Sequence, residues 1–258
     1  MTTPRKVETI VITGASAGIG EALARKLAGE NPARRMVLTG RRADRLMALS
    51  DDLACATHVL ALDMRDRKAV FEAFESLPAE FAEVDVLINN AGLALGLEPI
   101  YAADPDQLEQ MIDTNVKGLV YATRALLPGM VTRKSGHIIN LGSIAGTYPY
   151  PGGHVYGATK AFVEQFSLAM RSDLLGTRVR VTNIEPGMTE TEFSLVRFGG
   201  DAAKAYEVYR GIDPLTAEDI AETIAWCLSR PPHVNINRVE LMPTAQATGA
   251  FAVHRNTE

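Results

Sequence analysis

VETIVITGASAGIGEALARKLAGE, residues 7–30, carries three signals in one run. Val7 to Thr13 is a short β-branched apolar stretch, the composition of a buried strand. Gly14 to Gly20 then packs three glycines into seven residues, as a turn. From Glu21 to Glu30 the apolar residues Ala22, Leu23, Leu27 and Ala28 recur at near-helical spacing. Strand, glycine turn and helix in that order form the entrance to a βα unit. The glycines follow G-x-x-x-G-x-G spacing, a variant of the G-x-G-x-x-G dinucleotide fingerprint. Gly14 permits the tight turn, Gly18 lets a pyrophosphate approach the backbone, and Gly20 lets the helix pack on the sheet. The helix N-terminus then turns free N–H groups toward the phosphates. A tight turn without any ligand is the plain alternative.

The same alternation continues outward. Strands are expected at 35–39, 57–62, 85–89, 136–141, 178–184 and 238–242. Helices are expected at 45–53, 65–77, 108–126, 155–175 and 217–229. The helix at 108–126 is expected to stop at Pro128 and Gly129. Alternating strands and helices give an α/β fold, a doubly wound parallel sheet with helices on both faces. No linker, repeat or low-complexity segment interrupts residues 1–258, so a single domain is expected, with a substrate loop around 188–214. Ligands in such sheets bind at the carboxyl ends of the strands. Gly14, Arg41, Asp63, Asn90, Ser143 and Pro186 all fall there.

The composition narrows the classes. The chain has 258 residues, 47% of them hydrophobic and 22% charged, enough for a sizeable core. A net charge of −5 argues against nucleic-acid binding through bulk positive charge. Apolar runs are too short to span a membrane, and the first residues lack a signal-peptide core. Two cysteines suit a reducing, cytoplasmic setting. The five histidines are scattered without metal-ligand spacing, so no metal site is expected.

The second strand ends in Thr39-Gly40-Arg41-Arg42 rather than in an acidic residue. An acid there would hold a ribose 2′-OH, whereas arginine accommodates a 2′-phosphate. The expected cofactor is therefore NADP(H). Tyr156 and Lys160 in YGATK lie at i and i+4 on one helix face. A nearby ammonium is expected to lower the phenol pKa and fit the tyrosine for proton transfer. Ser143 follows the fifth strand with a hydroxyl for a substrate oxygen. Asn115, mid-helix among apolar residues, must be paired if buried, and a water-linked contact to Lys160 would serve. Taken singly, each of these has a purely structural reading.

TGASAGIG, Asp63, NNAG at 89–92, Asn115, Ser143, YGATK and Pro186-Gly187 occur in order and at fitting intervals. This set resembles the short-chain dehydrogenase/reductase family over roughly residues 7–245. The resemblance implies a Rossmann-type sheet of about seven parallel strands and hydride transfer at a nicotinamide. Tyr156 would be the acid/base, Lys160 would lower its pKa and hold the nicotinamide ribose, Ser143 would place the substrate oxygen, and Asn115 would support a proton relay. The implied cofactor-binding set is Gly14, Ser16, Gly18, Ile19, Gly20, Arg41, Arg42, Asp63, Asn90, Ala91, Gly92, Tyr156, Lys160, Pro186 and Gly187. Within it Asp63 would meet the adenine, Asn90 the cofactor ribose region, and Pro186-Gly187 the nicotinamide. Pairing of helices 108–126 and 155–175 across subunits is also implied, giving a homo-oligomer, with a tetramer favoured. The tail 243–258 could reach a neighbouring subunit.

Three longer stretches narrow the resemblance: YPYPGGHVYGATKAFVEQFSLAMRSDL, IEPGMTETEFSLVRFGGD and HVNINRVELMPTAQ. They are similar to a bacterial and fungal subgroup of NADP-dependent 3-hydroxy acid dehydrogenases, also described as serine or L-allo-threonine dehydrogenases and malonic semialdehyde reductases. At GMTETEFS, residues 187–194, some relatives carry an extra glycine, which leaves the preferred substrate open. A 3-hydroxy acid needs a partner for its carboxylate. Candidates are Arg197, Lys204, Arg210, His154, Tyr148 and Tyr150, with Arg197 favoured because apolar residues surround it in TEFSLVRF. The rival readings are a reductase of carrier-bound 3-oxoacyl chains, a general carbonyl reductase, and a non-catalytic NADP(H)-binding sensor.

Overall fold

A computed structural model describes residues 8–248. Its core is one parallel sheet of seven strands: β1 (Thr9–Thr13), β2 (Arg35–Gly40), β3 (Ala56–Ala61), β4 (Val86–Asn89), β5 (Gly136–Leu141), β6 (Val179–Pro186) and β7 (Arg238–Leu241). The spatial order is β3-β2-β1-β4-β5-β6-β7. The chain builds outward from β1 in one direction, then returns to β4 and builds the other way. The reversal leaves a crevice at the carboxyl ends of β1 and β4, the switch point where such sheets take ligands.

Consecutive residues of β1 face opposite sides, and both sides are covered. Ile10 and Ile12 enter one apolar layer with Leu23 and Leu27 of α1 (Gly18–Glu30) and Ile220 and Ile224 of α9 (Ala217–Leu228). Val11 enters the other, with Val70 of α3 (Arg67–Glu75), Ala122 and Met130 of α5 (Leu119–Arg133) and Met170 of α6 (His154–Asp173). Burial on both faces is why the central strands read as unbroken apolar runs. A Thr216–Asp219 capping box starts α9.

Three expectations change. The helix that begins at Pro105 does not end at Pro128. It runs as α4 (Pro105–Ile112), a π-turn (Asp113–Gly118) and α5, which continues through Pro128 to Arg133. Leu126 and Met130 are buried on either side of the proline, and that packing outweighs the lost backbone donor. Lys134, at φ 51°, ends the helix. The stretch 188–214 is not plain loop. It holds two short helices, α7 (Glu192–Arg197), capped by Thr191, and α8 (Ala202–Glu207), capped by Asp201. β6 extends to Pro186 and carries the chain to the cleft. Val7 and tail residues 249–258 lie outside the described residues. Among the described residues, no helix is long and apolar enough to cross a membrane.

Candidate active site

A cleft of about 720 Å³ opens along the carboxyl edge of the sheet. Its floor is the turn after β1. Gly14 and Gly18 adopt φ of +68° and +56°, a conformation that side chains disfavour. A methyl group on Gly20 would collide with the Gly14 carbonyl and stand 2.6 Å from Asn90 Nδ2. Asn90 secures the turn by donating to the Thr13 and Gly14 carbonyls at 2.9 and 3.0 Å. The N-cap of α1, Ala17, has no side chain to satisfy the first helical N–H groups. This is a backbone cradle for an anion.

The expected cofactor residues divide into those on the cleft wall and those behind it. Gly14, Ser16, Gly18, Ile19, Arg41, Arg42, Asp63, Asn90, Ala91, Gly92, Tyr156, Lys160, Pro186 and Gly187 line the cleft. Gly20 lies behind the turn, where it allows the helix to approach. Arg41 is exposed on the wall, and its charge helps hold the Asp63 carboxyl below its ordinary pKa, after the stronger effect of hydrogen bonding from Arg65. Asp63 is therefore engaged by Arg65, through contacts of 2.7–3.1 Å. Arg42 reaches Ser16 Oγ at 3.2 Å through one nitrogen and Glu192 at 2.9 Å through another.

The reacting end gathers Ser143, Tyr156 and Lys160. Ser143 caps a 3₁₀ turn (Ile144–Gly146), accepting from the Ala145 N–H at 3.1 Å and donating to the Pro186 carbonyl at 3.4 Å. Tyr156 and Lys160 stand one turn apart on α6, both buried. The Lys160 ammonium donates to the Leu141 carbonyl at 2.6 Å and lies 5.8 Å from the Tyr156 ring centre. Burial lowers Lys160 to about 8.

The expected lowering of the phenol does not hold for the protein alone. Burial pushes Tyr156 up to about 12, while a bond with Ser143 and the charge of Arg197 pull against it. Desolvation of the phenolate outweighs both.

Asn115 is buried and fully paired. Its amide exchanges hydrogen bonds with the backbone of Leu93 at 2.8 Å each way and donates to Thr159 Oγ1 at 3.1 Å. It does not reach the cleft. A methyl group on Gly92 would lie 3.3 Å from Asn115 Oδ1 and 3.6 Å from Lys160 Nζ, so the two residues flank that glycine.

The candidates for the substrate carboxylate separate clearly. Arg197 lies 5.3 Å from the centre of the Tyr156 ring and 5.1 Å from that of Phe193. It donates to Tyr150 OH at 3.0 Å, and its Nε is buried without a partner. Tyr150 thus joins the site through Arg197. Tyr148 lines the cleft but donates to Glu240 at 3.3 Å. His154 does not join the cleft: its Nε2 meets the Glu98 carbonyl at 3.0 Å and its Nδ1 accepts from the Val155 N–H. The helix start turns that ring outward. Lys204 and Arg210 pair with Asp201 and Glu207 on the exposed side of 201–210.

Several cleft residues escaped the sequence reading. Phe193 packs against Tyr156 with ring centres 5.6 Å apart. Tyr209 ties Ser194 to the Thr189 carbonyl. Gln246, from the segment after β7, accepts from the Met188 N–H at 2.8 Å. The cap at Thr191, ahead of the apolar FSLV, was the signal for α7. The positions of Tyr209 and Gln246 depend on tertiary contacts and left no local signal. Among the described residues no cluster of three or more His, Cys, Asp or Glu is placed to hold a metal.

Comparison with known proteins agrees with this architecture. A family model described as short chain dehydrogenase matches residues 8–197. The NADP-dependent 3-hydroxy acid dehydrogenase YdfG of Salmonella typhi is 55% identical over 248 residues, 96% of this chain and 99% of that protein. The serine 3-dehydrogenase of Rhizobium radiobacter is 50% identical over 249 residues, 96% of this chain and 99% of that protein. A solved structure described as the closed form of serine dehydrogenase complexed with NADP+ matches with a TM-score of 0.94 at 53% identity, covering 96% of this chain and 100% of that one.

Proposed function

The chain belongs to the short-chain dehydrogenase family, and from that premise we propose that it is an NADP(H)-dependent enzyme transferring hydride at C3 of small 3-hydroxy acids, of the serine, L-allo-threonine or 3-hydroxypropionate type. The observation that carries the substrate class is Arg197. A guanidinium with an unpartnered buried Nε stands beside the ring of the proposed acid/base. A hydroxy acid whose hydroxyl meets Tyr156 can place its carboxylate on that cation in a charge-assisted contact.

The cleft fits the cofactor. The glycine turn and uncapped α1 suit a pyrophosphate, and Arg41 with Arg42 suits a 2′-phosphate. When bound, NADP+ supplies the hydride acceptor and a positively charged ring.

In the oxidative direction Tyr156, as phenolate, takes the C3 hydroxyl proton while the C3 hydrogen leaves as hydride and a carbonyl forms. Ser143 donates to the substrate oxygen, stabilising the charge that develops there. Lys160 supports the phenolate electrostatically and donates toward the cofactor ribose. Reduction returns the proton from Tyr156 to the oxygen. With serine as substrate, the product is a 3-oxo acid, which loses CO2 without further help from the protein.

The same proposal extends to assembly and setting. α6 exposes Phe162 and Leu168, with Phe162 stacked on Phe166 at 5.5 Å, and α4 exposes Ile112. These faces are consistent with a homo-oligomer, and the family resemblance favours a tetramer. The two free, buried cysteines Cys55 and Cys227 accord with a cytoplasmic setting.

The test compares 3-hydroxypropionate with its methyl ester. Arg197→Met is expected to cut kcat/KM for the acid by about thirtyfold, the worth of a charged hydrogen bond, and to leave the ester nearly unchanged. Equal losses on both would remove Arg197 from the carboxylate site.

A further inference from the structure

α7 is six residues long and carries opposite charges at its two ends. Its last residue, Arg197, faces the reacting tyrosine. Its first, Glu192, reaches across the cleft to the other end of the site. There one carboxylate oxygen accepts from Arg45 at 2.6 Å and the other from Arg42 at 2.9 Å. Arg42 belongs to the pair proposed to read the 2′-phosphate, while Arg45 opens the helix after β2, α2 (Ala43–Asp52). The two arginines hold the Glu192 carboxyl below its ordinary pKa, Arg45 through the stronger bond. One short helix therefore links the cofactor-phosphate arginines to the substrate cation.

The other anchors of α7 include Phe193, which packs on Tyr156 and the small apolar cluster around it. Ser194 meets Tyr209 at 2.7 Å, and the Arg197 carbonyl accepts from the Gly96 N–H at 3.1 Å. Leu195 and Val196 are exposed. Among the polar ties of the helix, the Glu192 fork is the one directed at the cofactor half. A carboxylate forked between two guanidiniums constrains orientation as well as distance.

We propose that Glu192 is a positioning residue for substrate binding: its fork to Arg42 and Arg45 pins α7 onto the cofactor-phosphate corner and so sets where Arg197 stands. This inference rests on the reading of Arg197 as the carboxylate partner. It carries a consequence for order. Arg42 is shared between Glu192 and the cofactor phosphate, so the arrival of NADP(H) is felt at the base of the helix that holds the substrate.

Glu192→Gln keeps the side-chain shape and removes the charge. It is expected to raise KM for 3-hydroxypropionate about fivefold, keep kcat within about twofold, and leave the KM of methyl 3-hydroxypropionate unmoved. Arg45→Ala should act in the same direction without touching the proposed phosphate pair. The double variant Glu192→Gln/Arg45→Ala should be no worse than Glu192→Gln alone, because Arg45→Ala deletes one arm of the fork that Glu192→Gln already disrupts. Glu192→Asp, which retains the charge, should recover part of the loss. Unchanged KM for the acid, an equal rise for the ester, or additive effects in the double variant would overturn the proposal. Normal wild-type turnover of the acid with any of those results refutes the role of Glu192 alone. A wild-type enzyme that turns over no hydroxy acid refutes the parent reading and this inference together.

Discussion

The two walls of the cleft are built by different physics. The wall proposed for the cofactor is mainly backbone: two glycines at positive φ, a third that allows close approach, and an uncapped helix, all seated on the fully buried strand β1. The wall proposed for the substrate is built from side chains: Arg197 on Tyr150, Glu192 on Arg42 and Arg45, and Ser194 on Tyr209, carried by short and partly exposed helices. Backbone geometry is set by folding itself. Side-chain ion pairs at a half-exposed surface are individually weak and easily exchanged. The comparison teaches that one cleft can join a wall fixed by the fold to a wall that single substitutions can retune.

The largest effect is expected where the two walls meet. Tyr156→Phe should lower kcat about a thousandfold, as loss of a general acid/base does, while NADPH still binds as judged by its fluorescence. Loss of cofactor binding with the hydroxyl would show that the halves are not separable. Next comes the side-chain element within the cofactor wall. Arg41→Ala should weaken NADP+ about thirtyfold and NAD+ hardly at all, measured by titration calorimetry. Equal losses would mean that Arg41 does not read the 2′-phosphate.

Gly20→Ala tests the backbone principle. Its methyl would press on the Gly14 carbonyl and Asn90, at a cost of about 1–3 kcal/mol in unfolding free energy. An unchanged melting curve would show that the turn has slack. The smallest effect lies in the sheet beneath both walls. His137 is buried, bonded to Thr182 at 2.8 Å, and burial holds it well below its ordinary pKa. The unfolded chain binds a proton there near pH 6.5 and the folded chain does not. Stability should therefore be complete above that pH and fall below it by up to about 1.4 kcal/mol per pH unit, continuing down to the folded-state value. His137→Gln should flatten that part of the slope in denaturant titrations. An unaltered slope would show that other groups carry it.

The cofactor wall was legible in the sequence because its determinants are local. Strand, glycine turn and helix are adjacent in the chain, and TGRR ends its strand in the open. The Tyr156/Lys160 pair was legible for the same reason, being one helical turn. The phenol pKa was not, since the spacing shows the ammonium but not the desolvation that outweighs it. Pro128 misled because a local rule predicts a stop, whereas burial of Leu126 and Met130 keeps the helix going. Glu192 and Gln246 could not be placed, because their partners lie 147 and 58 residues away in the chain. Arg197 stood out from its apolar neighbours, but its aromatic cage of Tyr150, Tyr156 and Phe193 draws on three separate elements.

The most direct measurement of the central claim is NADPH formation by the wild-type enzyme with a 3-hydroxy acid, set against its methyl ester and against NAD+ in place of NADP+. The account predicts turnover of serine, L-allo-threonine or 3-hydroxypropionate with NADP+, a marked preference for the free acid over the ester, and little activity with NAD+. Equal rates for acid and ester, or a preference for NAD+, would contradict it.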